Sequence, residues 1–141
     1  MTTSSNGVTK KPILLNLLVC DSHAQGPEGK PTLYGVFDRV GVDQVPTAHA
    51  EMTLFMTFGY GKTGKYAIRF NIVSPSGKIL IASPDITFDL ANDHVVHNIN
   101  IRFQGFPIPE EGFYRTVVYF KGEEIPVEDK ILFLVHKVKK G

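Results

Sequence analysis

Five histidines, His23, His49, His94, His97 and His136, are the side chains of this sequence best suited to proton transfer or metal binding. His94 and His97 are three apart on a segment that reads as extended. Residues at odd spacing in a strand point to opposite faces, so these two do not share a metal. His97 falls in the apolar row of its strand and reads as a packed, hydrogen-bonded histidine. His23 and His49 read as loop residues, which leaves a two- or three-histidine site assembled from loops as an open alternative. Asp85 and Asp89 are four apart on one strand face, roughly 13 Å at strand rise. Calcium holds its oxygens at about 2.3–2.6 Å, so both serve one ion only if a loop intervenes. Asp21 and Asp93, near strand ends, could add ligands, but no spacing brings them together.

A phosphate loop is the next chemistry to test. Gly59, four residues and then Gly64-Lys65 match the first part of the Gly-x-x-x-x-Gly-Lys-Ser/Thr pattern. Tyr66 stands where the magnesium-binding hydroxyl belongs. The frame ending in Gly61-Lys62-Thr63 restores the threonine but puts Met56 at the first glycine. Such a loop must open a helix whose N-terminus meets the phosphate. Here it opens an alternating strand and reads as a hairpin turn. No Gly-x-Ser-x-Gly elbow is present, and Cys20 lies in an apolar run. Residues 10–19 mimic a lipoprotein leader ahead of Cys20, but the run is short, Asn16 interrupts it, and Val19 is bulky where a small residue is wanted. Cys20 therefore reads as a small hydrophobe in a strand. The Glu-Glu pairs at Glu110 and Glu123 read as solvated loop charges. No catalytic, cofactor-binding or metal-binding residues emerge, and the expectation is a protein that is not an enzyme and carries no cofactor.

Asp38 and Arg39 are the remaining charged pair of interest. Neighbours in a strand face opposite ways, so they are not expected to pair with each other. Asp38 shares a face with Tyr34, Val36 and Val40 and, if that face is buried, needs a donor from another strand.

The elements that would position these groups follow from periodicity. Residues 51–60 alternate, with Met52, Leu54, Met56 and Phe58 on one face. Residues 65–73 alternate with Tyr66, Ile68, Phe70 and Ile72, and residues 94–104 with Val95, His97, Ile99, Ile101 and Phe103. A period of two marks half-buried strands. Further strands are expected at 13–21, 32–42, 78–90, 113–121 and 123–138. Gly35 and Gly41 mark bulges or twists, and Ser74-Pro75-Ser76-Gly77 is turn chemistry. Pro84 cannot donate to a ladder, so its strand is at an edge or broken. Eight short strands without a helix predict an all-β, two-sheet antiparallel sandwich. Residues 1–11 read as a flexible N-terminal tail and 12–141 as one domain.

The sequence Gly29-Lys30-Pro31-Thr32-Leu33-Tyr34-Gly35-Val36-Phe37-Asp38-Arg39-Val40 and the turn Pro109-Glu110-Glu111-Gly112-Phe113-Tyr114 resemble those of an uncharacterised bacterial family of small single-domain proteins. A glycine-centred hairpin at Lys121-Gly122-Glu123 belongs to the same likeness. The resemblance spans about residues 12–138 and implies an immunoglobulin-like β-sandwich. It brings no activity and no catalytic residues. In such sandwiches a corner tyrosine folds back onto nearby backbone. Tyr114 is the candidate, with an ordinary packed aromatic as the alternative.

Composition narrows the function classes. Of 141 residues, 43% are hydrophobic, enough for a core. Fifteen basic against fourteen acidic residues leave a formal charge of +1, which supplies no field for a nucleic acid. The basic C-terminal end, with His136, Lys137, Lys139 and Lys140, reads as a solvated terminus. One cysteine permits no intrachain disulfide, and no apolar run is long enough to span a bilayer. A cytoplasmic protein is expected. The leading expectation is an interaction or structural module that binds a protein partner or self-associates through a sheet edge, without nucleic acid or membrane. The alternative is a sandwich whose loops hold a small molecule, sugar or ion, with His23, His49, Asp93 or aromatics converging on it.

Overall fold

The computed structural model describes residues 11–138. Most of the expected N-terminal tail, and Lys139 and Lys140 of the basic end, lie outside the described residues. Lys11 is described: its ammonium pairs with Glu123 and lies 5.4 Å from the centre of the Phe120 ring.

Ten strands are present among the described residues: β1 (Ile13–Gln25), β2 (Pro31–Phe37), β3 (Arg39–Val42), β4 (Thr47–Gly59), β5 (Gly64–Val73), β6 (Ile79–Ala82), β7 (Ile86–Leu90), β8 (Val96–Ile108), β9 (Gly112–Phe120) and β10 (Glu128–Lys137). They form two packed sheets. The first has the order β2-β1-β4-β8, and the second β3-β10-β9-β5-β6, with β7 also on β5.

The expected alternation builds the core. Met52, Leu54, Met56 and Phe58 of β4 are fully buried, as are Ile68, Phe70 and Ile72 of β5. Opposite them in the ladder, Ile99, Ile101 and Phe103 of β8 pair with Met56, Leu54 and Met52 and face the same interior. Two aromatic clusters bridge the sheets. Phe58 of the first sheet sits between Phe88 and Phe120 of the second, at 5.3 and 6.0 Å between ring centres. At the other end, Tyr114 stacks on Phe133 at 5.1 Å, and Phe106 and Phe37 of the first sheet meet that pair.

Ten strands replace the expected eight because two extended runs each break in two. The run 32–42 leaves one sheet for the other at Asp38. Its first part, β2, pairs antiparallel with β1, and its second, β3, pairs parallel with β10. The sandwich is therefore antiparallel at every ladder except this one. The run 78–90 breaks around Pro84, and both halves lie along β5. Ser83 bridges the break: its amide donates to the Phe70 carbonyl at 2.9 Å, and its hydroxyl accepts the Phe70 amide at 2.8 Å. The expectation of a strand at an edge or broken is met on both counts.

Other boundaries move as well. β1 runs on to Gln25 and β4 starts at Thr47, so His23 and His49 are strand residues, not loop residues. Gly59 to Gly64 is not a hairpin turn, because β4 and β5 belong to different sheets and the segment crosses between them. Gly35 has a φ of 63°, and a Cβ there would lie 2.2 Å from the Asp21 carboxylate. A register shift between Ile131 and Phe133 lets both Leu132 and Phe133 be buried while Ile131 is exposed.

Phe133 contacts aromatic rings from both sheets. Its replacement by alanine opens a cavity at their junction. F133A is expected to lower unfolding free energy by about 3–5 kcal/mol, measured by urea denaturation followed by far-ultraviolet circular dichroism.

Candidate functional site

The strongest polar cluster is built where β8 leaves one sheet and β9 enters the other. The turn Ser74-Pro75-Ser76-Gly77 closes with the Gly77 amide donating to the Ser74 carbonyl at 2.9 Å. The Lys78 amide donates to Ser74 Oγ at 3.1 Å. Ser76 then reaches Glu110, its hydroxyl donating at 2.6 Å and its amide at 3.3 Å to the same carboxylate oxygen. Tyr114, fully buried, folds back four residues and donates to the Glu110 carbonyl at 2.6 Å. The Glu110 amide donates to the Tyr114 hydroxyl at 3.3 Å. A Cβ on Gly112 would lie 2.8 Å from Pro75, so only glycine lets this corner meet the turn so closely. The serine bonds hold the Glu110 carboxyl below its usual range. Burial, less a contribution from the Glu110 backbone bond, pushes the Tyr114 phenol up. Glu110 is thus a solvent-exposed loop carboxylate, as its surroundings in sequence suggest, and in addition accepts from Ser76. The arrangement positions a corner and holds no reacting geometry.

The other sequence-selected residues are not brought together. Arg39 Nε donates to Asp38 Oδ1 at 3.1 Å, contrary to the expectation that the pair would not meet. The chain bends at Asp38 as it changes sheets, so strict alternation lapses there. Both side chains are exposed, and Asp38 has no buried acceptor to satisfy. His97 stacks on Phe88 at 5.3 Å, and His49 lies 5.7 Å from Phe37. His94 is exposed, 3.3 Å from Asp93. Asp85 sits in the strand break opposite Lys121, at 3.7 Å. Among the described residues no group of three or more histidine, cysteine, aspartate or glutamate side chains could hold a metal ion. Cys20 is buried in β1, its thiol 3.3 Å from the Ser22 carbonyl, and burial pushes its pKa up.

Periodicity missed the sheet edges. Four edge segments are blunted. β3 and β6 have four residues each, and Pro84 interrupts the edge made by β6 and β7. β2 carries the left-handed Gly35. The part of β1 beyond β2 is bulged between Leu14 and Asn16, and Lys130 Nζ caps its Leu17 carbonyl at 2.9 Å. β8 differs. Over residues 96–104 it pairs with β4 in constant register, holds neither proline nor a left-handed glycine, and ends the first sheet; Gly105, with a φ of 68°, and Pro107 interrupt only its last part. The Tyr60 amide donates to the Val95 carbonyl at 3.3 Å, which sets the phase of this ladder. Hydrogen-bonded pairs recur every two residues, so His97, Ile99, Ile101 and Phe103 bond β4. The amide and carbonyl groups of Asn98, Asn100, Arg102 and Gln104 then point to the open edge.

Beside that edge lies an apolar slot of about 300 Å³ between the sheets. Phe70, Ile81, Pro84 and Ile86 form one wall, and Ile101 and Phe103 the other. Ser83 and Pro84, at the break between β6 and β7, also line the slot.

These features define an all-β protein of two packed open sheets, with an open edge along residues 96–104 of β8. The chain belongs to a family of unknown function, DUF6941, which it matches over residues 15–128. None of the curated proteins matches it. No helix among the described residues is long and apolar enough to cross a membrane.

Two outcomes follow for the corner. Y114F is expected to cost about 1–3 kcal/mol in urea denaturation, because it strips a partner from the Glu110 backbone. The lowered Glu110 pKa stabilises the fold fully above the ordinary carboxyl value of 4.5 and is lost as pH falls through the lowered value. The melting temperature of the wild type should therefore fall more steeply below pH 4.5 than that of E110Q.

Proposed function

We propose that this protein is a non-enzymatic, immunoglobulin-like interaction module that receives an extended segment of a protein partner along β8. The single observation that carries the reading is the contrast between β8 over residues 96–104 and the four blunted edge segments. A strand laid beside β8 finds outward amide and carbonyl groups at Asn98, Asn100, Arg102 and Gln104. Its inward side chains enter the slot beside Ile101 and Phe103. Main-chain bonds supply affinity in this mode and the pocket supplies selectivity. The partner segment is extended and carries a large apolar residue. The immunoglobulin-like assignment is supported by the Tyr114 corner and by the chain's change of sheet between β2 and β3. A cytoplasmic setting is supported by the buried, unpaired thiol of Cys20.

A library of random linear peptides displayed on phage and panned on the immobilised protein tests this. Enriched peptides should carry large apolar residues at alternate positions. Gln104→Pro removes one outward amide from an edge where proline is tolerated, and Ile81→Glu places a charge in the slot. Each should weaken the selected peptides roughly tenfold or more while circular dichroism is unchanged. The absence of any enriched sequence, or binding indifferent to both substitutions, would overturn the reading.

A further inference from the structure

We infer that the segment received along β8 is β8 of a second copy of this chain, laid antiparallel about a two-fold axis at Asn100. The inference rests on the reading of β8 as a receiving edge and names its partner. A two-fold contact is isologous, so a strand that meets itself must satisfy itself at every position. The open stretch runs from Val96 to Gln104, between the turn at residues 91–95 and the left-handed Gly105, and Asn100 is its centre. Val96 alternates in step with Asn98, Asn100, Arg102 and Gln104, so its backbone groups also turn outward. With the axis at Asn100, Val96 falls opposite the partner's Gln104, Asn98 opposite the partner's Arg102, and Asn100 opposite the partner's Asn100. Every outward residue then meets an outward residue, and each such pair exchanges both of its main-chain bonds.

The side chains agree with this register. β8 itself carries what its edge selects, large apolar residues at alternate positions, in Ile99, Ile101 and Phe103. In the inner row Ile99 falls opposite the partner's Ile101, and His97 opposite the partner's Phe103. Apolar meets apolar and ring meets ring, the cross-strand pairs that stabilise a sheet. Ile101 and Phe103 are only half-buried in the single chain, and the slot they line is where the partner's inner row arrives. In the outer row no charge faces a like charge. Arg102 falls opposite an asparagine, and Glu51 of its own chain already neutralises it. An axis at Arg102 would instead set two guanidinium groups directly opposite each other, which is destabilising. It would also draw Gly105 and Pro107 into the ladder.

Sedimentation velocity of the full chain from about 1 μM to about 1 mM tests the inference, because an edge contact alone makes a weak dimer. A monomer–dimer equilibrium within that range is expected. Gln104→Pro removes an amide at both ends of the ladder and should raise the dissociation constant roughly tenfold or more. Nitroxide labels on Gln104→Cys read the register, since Cys20 is buried and escapes labelling. The two labelled positions lie at opposite ends of the ladder, roughly 26 Å apart at strand rise, and dipolar electron spin resonance should find a separation near that value. A monomer even at about 1 mM, dimerisation indifferent to Gln104→Pro, or a label separation far from the ladder's length would each overturn the inference. A chain that stays monomeric yet binds the selected peptides, less tightly in Gln104→Pro, overturns this partner alone and leaves the receiving edge standing. A dimer that the selected peptides dissociate supports both.

Discussion

Two sheets held face to face by their inner rows must end somewhere, and each end exposes a row of unpaired backbone groups. That constraint organises this molecule. The inner rows of β4, β5, β8 and β9 settle the interior, with Met52, Leu54, Met56, Phe58, Ile68, Phe70 and Ile72 shielded from water. An open sheet does not close on itself, so every edge needs its own treatment. The bend at Asp38 is one answer. It moves a single run of chain from the margin of one sheet to the margin of the other, so that β2 covers part of β1 and β3 covers part of β10. What β2 leaves bare, the bulge at Leu15 and the Lys130 cap protect.

The same constraint explains why β8 stands apart. Its side chains are used by the core, yet its outward backbone groups are not used by any neighbouring strand. The run 78–90 lies in the other sheet, where both its halves pair with β5, so it leaves the β8 edge bare, and the apolar slot opens beside Pro84. The far end of β8 is held by different means. Gly105 has a φ of 68°, Pro107 lacks an amide, and beyond them the Glu110–Tyr114 corner locks the chain into the second sheet. The open stretch thus has a firm floor: it is anchored at its C-terminal end and backed by β4 along its length.

Much of this was legible in the sequence, and the limits have physical reasons. Side-chain alternation reports which face a residue takes, so the inner rows of β4, β5 and β8 could be read directly. Alternation does not report which sheet a strand joins. The change of sheet at Asp38 and the split at Pro84 therefore looked like single strands, and the segment from Gly59 to Gly64 looked like a hairpin. For His23 and His49, glycine and proline nearby outweigh the strand residues beside them, so the sequence alone suggests loops. The Ser76–Glu110 bond joins residues 34 apart, and nothing local announces it. Tyr114 was visible because its spacing from the preceding turn is itself the signal, and the structure gives it the folded-back bond expected of a corner tyrosine.

The central claim is that the outward amides of β8 are free to bond another strand. Amide hydrogen exchange read residue by residue on the isolated protein is its most direct measurement. Asn98, Asn100, Arg102 and Gln104 should exchange much faster than His97, Ile99, Ile101 and Phe103, in strict alternation along one strand. Equal, strong protection of both sets at every protein concentration would contradict the account.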